Sequence, residues 1–234
     1  KAKRNAEEEV EQKRLHDDAS VSTEELLVEE FKTSLPLYPT DPSLTPLWMT
    51  SKDPLDDLDM SKLEGYELLW HDDDALVQSM KTMDTIFEKM GIADVYSSFQ
   101  ALRPMAFKVD VWRYCILYLF GGVYMDHELL LQKPLSIIES KFSSEIITGK
   151  EMPFSVCLDD PLWYYRTKTP RPGESTKYWN GFMMSKSPFH LVMRHSIELS
   201  VSNIQARSYT DDQLDITGPG LLGRAINLVY SYSS

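Results

Sequence analysis

Cysteine is scarce in this chain of 234 residues: only Cys115 and Cys157 occur, and they form no CxxC pair. A disulfide framework and a thiol-rich metal site are thereby excluded. Positive charge is short as well, with 24 Lys and Arg against 36 Asp and Glu and a formal net charge of −12. Such a surface repels phosphate backbones, so nucleic acid is excluded as a general partner, and any polyanionic ligand must meet a local cation or a metal. Long apolar runs are missing too. The longest, from Cys115 to Met125, is broken by Gly121-Gly122 and falls short of the roughly 18 residues that span a bilayer. No Asn-x-Ser/Thr acceptor occurs, which argues against a heavily glycosylated secreted chain. G-x-S-x-G and G-x-x-x-x-G-K-[ST] are both absent, which removes serine hydrolases and P-loop enzymes. The chain opens on Lys1 without an apolar leader and reads as a processed fragment whose targeting segment lies elsewhere.

What is present is a globular composition, 42% hydrophobic, large enough for one core. Residues 1–32 alternate acids and bases (Glu7, Glu8, Glu9, Lys13, Arg14, Asp17, Asp18) and read as a charged helical stem or extension. Pro36, Pro39, Pro42 and Pro46 then forbid a long helix, and the domain is expected over 33–234. Tyr66 to Trp70 reads as a strand. The acids Asp72, Asp73 and Asp74 favour a helix start, with a helix expected from Ala75 to about Met90 and stopped by Gly91. A second helix is expected from Met105 to Phe120, ending at Gly121-Gly122, with a short strand over Val123–Met125. Strands are also expected over Phe154–Leu158 and Phe182–Met184, and helices over His190–Val201 and Pro219–Tyr230. Strands alternating with helices give an α/β class.

The helix from Val109 to Phe120 is apolar nearly all round and so belongs in a core, yet it carries Asp110 and Arg113. Three residues apart, these two charges share one face. Buried charges are retained when paired or used, which leaves two readings: a structural ion pair, or a polar stripe facing a ligand. After Gly-Gly, the next strand runs into Asp126-His127-Glu128. In open α/β sheets ligands bind beyond the carboxyl ends of strands, where this acidic pair falls. Paired carboxylates suit Mg²⁺ or Mn²⁺, and such an ion would clamp a diphosphate on an otherwise repulsive protein.

The stretch Lys108 to Asp126, KVDVWRYCILYLFGGVYMD, resembles the signature of the sugar-binding DXD glycosyltransferases, family 32, typified by yeast Golgi mannosyltransferases and related to large clostridial glucosylating toxins. Leu47-Trp48-Met49, Leu69-Trp70-His71-Asp72, Asn180-Gly181-Phe182 and Thr217-Gly218-Pro219 fall in the family's order, so the resemblance covers roughly residues 44–225. It implies a GT-A fold, a single α/β domain with a mixed central sheet, a nucleotide-sugar donor and a metal-dependent transfer with retention of configuration. By position, Asp110 and Arg113 would hold donor hydroxyls and Asp126 would contact the ribose or sugar and the metal shell. Glu128, standing where the motif has its second Asp, would ligate Mn²⁺ or Mg²⁺. Trp48 would stack on the nucleobase, and Asn180 would border the reacting sugar. The yeast likeness favours GDP-mannose over a UDP-sugar and a Golgi-lumen protein anchored by a missing N-terminal segment, with a cytosolic or secreted effector as the alternative. The acceptor would be a glycan, glycolipid or protein. Because the motif reads Asp-His-Glu, the alternative function is a catalytically weak GT-A-like module that binds nucleotide sugar or glycan.

Other candidates have plainer readings. His71 to Asp74 is expected to cap a helix rather than hold a metal. Trp163-Tyr164-Tyr165 and Tyr178-Trp179 are core or an acceptor-sugar platform, with core the default. His190 and His195 lack a partner at a telling spacing and receive no role.

Overall fold

A computed structural model describes residues 22–36, 38–53, 58–141, 146–150, 177–208 and 213–230. Five strands form one mixed sheet: β1 (Thr45–Thr50), β2 (Tyr66–His71), β3 (Gly122–Met125), β4 (Ile146–Lys150) and β5 (Tyr178–Ser185), in the order β2-β1-β3-β5-β4. β1 pairs in parallel with β2 and β3, while β5 runs antiparallel to β3 and β4. The carboxyl ends of β1, β2 and β3 therefore meet the amino end of β5 along one edge. The expected mixed α/β architecture is what the chain adopts. The strand expected over Phe154–Leu158 and the aromatic run Trp163-Tyr164-Tyr165 lie outside the described residues.

Seven helices among the described residues cover the sheet: α1 (Thr23–Phe31), α2 (Asp73–Lys89), α3 (Val95–Ala101), α4 (Met105–Phe120), α5 (Leu135–Ser140), α6 (Leu191–Gln205) and α7 (Pro219–Tyr230). The acids at 72–74 act as expected. Asp72 caps α2 by accepting from the Ala75 N–H at 2.8 Å, and Asp73 and Asp74 occupy its first turn. His71 is instead sealed in the core beside Trp112, with ring centroids 4.9 Å apart. His190 caps α6, accepting from the Val192 N–H through Nδ1. None of the described helices is long and apolar enough to cross a membrane.

Residues Val111 to Leu119 of α4 are all buried, as a helix apolar on every side requires. It stops at Gly121 (φ 64°), whose N–H still bonds the Leu117 carbonyl. Gly122 follows at φ 87°, and a Cβ there would sit 2.3 Å from the Pro46 carbonyl oxygen. Only glycine permits both the turn and this approach, so the Gly-Gly pair swings the chain from α4 directly into β3. The consequence is geometric: α4 lies antiparallel to β3, with its amino-terminal half over the carboxyl end of the strands.

Side-chain alternation divides the core. Trp48, Leu69, Tyr124 and Met183 face α4, whereas Leu47, Tyr66, Val123 and Met125 face α5. The reading of residues 1–32 as a separate stem needs correction over its last turns: α1 begins with a Ser22/Glu25 capping box and buries Val28 in the main core. Sparse apolar residues concealed this, because Val28, with Leu27 packed beside the core, is enough to dock the helix.

Candidate active site

Asp110 and Arg113, one turn apart on α4, face the edge where β3 ends and β5 begins. Arg113 is 5% exposed. Its Nη1 donates to the Asn180 carbonyl at 2.5 Å and its Nε to the Val109 carbonyl at 3.4 Å. Nη2 stands 3.3 Å from Asp110 Oδ1 and 3.5 Å from Asp126 Oδ1. The Tyr124 ring closes one face of the fork, 4.3 Å from Cζ, a cation–π contact. Burial opposes the positive charge, but Tyr124, Asp110 and Asp126 together hold Arg113 above its ordinary value, so it stays protonated.

The Asp110 carboxylate is held on both sides. Asn180 Nδ2 donates to Oδ1 at 2.8 Å and the Thr217 hydroxyl to Oδ2 at 3.0 Å. Burial pushes this carboxyl up, against the lowering pull of Arg113, Thr217 and Asn180. Tyr114, one turn further along α4, donates to the Thr217 carbonyl at 2.8 Å and accepts from Asn180 Nδ2 at 3.2 Å. Four stretches of chain, α4, β3, β5 and the turn before α7, are thus tied by one polar network.

Asp126 lies just past β3, where its N–H donates to the Gly181 carbonyl at 2.8 Å. Its Oδ1 accepts from the Tyr124 hydroxyl at 2.6 Å, and Oδ2 takes no hydrogen bond from the described residues. His127 and Glu128 follow in an exposed turn. Among the described residues no three His, Cys, Asp or Glu side chains gather into a metal cage. The donor set nevertheless fits a hard divalent cation, because Asp126 Oδ2 and the exposed Glu128 carboxylate are both oxygen ligands that no described residue bonds. Mg²⁺ commonly binds through one or two carboxylates and completes its shell with water and substrate phosphate.

Asp110, Arg113, Asp126 and Asn180, four sequence candidates spread over 70 residues, are therefore brought together, and Glu128 follows Asp126 by two positions in the exposed turn. Trp48 is not among them, and its reading as a base-stacking ring is corrected. It is 0% exposed, its indole N–H donates to the Gly121 carbonyl at 2.9 Å, and it packs on Phe120 and His71. An even-numbered position on β1 faces α4, and a large apolar ring there fills the core. Arg113 is also spent on protein partners rather than left open to a donor. Tyr114, Tyr124 and Thr217 were missed as site residues. Tyr124 shares a strand face with Asp126 two residues on, and Tyr114 shares a helix face with Asp110 four residues back; both periodicities were readable. In the sequence Thr217 reads only as part of a turn, and nothing local reveals that its hydroxyl reaches Asp110. Tyr178 and Trp179 are half-buried at the start of β5, while His195 pairs with Glu198 on α6, away from this cluster.

A mixed sheet thus carries a D-x-E turn just past β3, beneath a buried Asp–Arg pair on α4. Residues 47–149 match the family described as "Glycosyltransferase sugar-binding region containing DXD motif". The initiation-specific alpha-1,6-mannosyltransferase of Candida albicans is 26% identical over 147 residues, covering 56% of this chain and 38% of that protein. This chain thus spans well under half the length of that relative. Among solved structures, the PaToxG glycosyltransferase matches with a TM-score of 0.52 over 89% of this chain and 76% of that one, at 14% identity. The fold is the expected GT-A-like one, and residues 47–149 are similar to the sugar-binding region of the DXD glycosyltransferases. The matched region holds Asp110, Arg113, Asp126 and Glu128, whereas Asn180 and Thr217 join the site from beyond it.

Proposed function

We propose that this domain transfers a hexose from a nucleotide sugar to a glycan, lipid or protein acceptor, with a divalent metal and retention of configuration. The observation that carries the reading is the network of Asp110, Arg113, Asn180 and Asp126, which spends a buried guanidinium on fixing two carboxylates at the carboxyl edge of the sheet. An arrangement made only for stability would be as well served by apolar residues of similar volume. The carboxylates of Asp110 and Asp126 retain acceptor capacity for donor hydroxyls, and Asn180 borders the same space. Asp126 and Glu128 would hold Mn²⁺ or Mg²⁺, which when bound neutralises charge on a diphosphate leaving group. The chain's own contribution is orientation: Asp110 locked by Asn180 and Thr217, and Asp126 locked by Tyr124, meet the donor without reorganising.

GDP-mannose is the favoured donor, by the likeness to a mannosyltransferase, and a UDP-sugar is the alternative. The Golgi lumen, with an anchor outside this sequence, is the favoured location over a cytosolic or secreted effector role. Thermal unfolding against GDP-mannose, UDP-glucose and their free diphosphates, with and without Mn²⁺, tests the donor, because ligand that binds the folded state raises its stability by mass action. A metal-dependent rise in midpoint with one base is expected. No shift with any of them, at millimolar ligand and metal, would overturn the reading. One observation favours the weak binding module as a second reading: Glu128, with its extra methylene, stands where the motif has Asp. Donor hydrolysis separates the two, since an enzyme releases free sugar faster with Mn²⁺ and a module does not.

A further inference from the structure

Gly181 directly follows Asn180 as the fourth residue of β5, and its carbonyl accepts from the Asp126 N–H. Its φ lies outside the left-handed region, so its backbone is one that any L-residue can adopt; conformational freedom is not why glycine is here. Space is the reason. A Cβ at this position would lie 2.3 Å from Asp126 Oδ2 and 2.8 Å from the Trp179 ring. The oxygen concerned is the outer one: Oδ1 accepts from Tyr124 and stands beside Arg113, while Oδ2 takes no hydrogen bond from the described residues.

We propose that Gly181 is a positioning residue: the absence of a side chain opens the gap into which Asp126 turns Oδ2, and this sets the carboxylate for its ligand. Two contacts define that orientation from opposite sides. The Gly181 carbonyl holds the Asp126 N–H, fixing the backbone, and the bare Cα leaves room for the outer oxygen. A single methyl at 181 would leave the backbone bond intact and rotate the carboxylate, breaking its alignment with Tyr124 and Arg113. The inference rests on the donor and metal reading above, and it adds a residue that touches neither.

The test is Gly181→Ala, Asp126→Ala and the double variant, each measured by thermal unfolding and by calorimetric titration with GDP or UDP in the presence of Mn²⁺. Gly181→Ala is expected to weaken nucleoside diphosphate binding by about 10- to 100-fold, the range seen when residues that orient a metal ligand are changed. In the Asp126→Ala background the same methyl should cost no further affinity and less stability than it does in wild type, because the nearer of its two obstructions has been removed. Wild-type protein that binds neither nucleotide with Mn²⁺ overturns the donor reading and this inference with it. Wild-type binding matched by Gly181→Ala overturns the inference alone. If Gly181→Ala fails to fold, the double variant decides: a folded double variant supports the proposal, and an unfolded one overturns it by placing the obstruction at Trp179 instead.

Discussion

Replacing Arg113 by Lys keeps the charge and removes the planar fork, which makes it the sharpest probe of what the buried cation does. In the structure the guanidinium serves the Asn180 carbonyl at 2.5 Å, Asp110 at 3.3 Å, Asp126 at 3.5 Å and the Val109 carbonyl at 3.4 Å. A compact ammonium cannot span these partners at once. Hydrogen bonds that involve a charged group contribute about 1.5–3 kcal/mol each, so losing one or two net gives a destabilisation of about 2–4 kcal/mol. For a domain of 150–250 residues, about 2–4 °C per kcal/mol converts this to a fall of roughly 4–16 °C in unfolding midpoint. Donor hydrolysis should fall with it, because Asp110, Asp126 and Asn180 lose their common tether. The assay is a thermal melt of wild type and Arg113→Lys beside donor turnover measured well below both midpoints. A variant that melts like wild type yet turns over no donor would refute the reasoning, since it would mean that the guanidinium faces the substrate rather than the protein.

Three further outcomes are expected. Glu128→Ala should abolish Mn²⁺-dependent nucleotide binding in calorimetry while changing stability by no more than about 0.5 kcal/mol, because the residue is exposed; unchanged affinity with metal present would remove it from the site. Trp48→Ala should cost about 3–5 kcal/mol of stability as a core cavity, whereas the milder Trp48→Phe should leave nucleotide affinity as in wild type. A selective loss of affinity in a stable Trp48→Phe protein would restore the base-stacking role. His71 is held neutral by burial, its pKa lowered from 6.5 to about 4. Between those values the unfolded chain binds the extra proton and the fold does not, so stability falls as pH drops from 6.5 toward 4, by about 3 kcal/mol in all. Melts from pH 7.5 to 4.5 should show a steeper acid loss for wild type than for His71→Phe, and parallel curves would contradict this.

Much of the fold was legible because its signals are local. The all-apolar helix with its Gly-Gly stop, the acids opening α2 and the helix beginning at Pro219 each follow from a few adjacent residues, and the strands alternate as the core demands. The same locality explains why Asp110, Arg113 and the D-x-E turn could be picked out: two charges inside an otherwise apolar helix, and two acids at a strand end, are anomalies visible at short range. What side chains do with one another across the chain was decided by tertiary packing. The stem reading failed over α1 because Val28 finds the core only once α2 is in place. Trp48 has the same sequence signal whether its ring faces a nucleotide or a core, and the register of β1 beside β3 turned it inward. Whether Arg113 meets donor or protein depended on the Asn180 carbonyl, 67 positions away, reaching its fork first. Thr217 enters the site only because α7 begins against α4, which puts its hydroxyl on a carboxylate 107 positions away. Periodicity reports the face a residue occupies; which distant group waits on that face is set by how the helices and strands close around it.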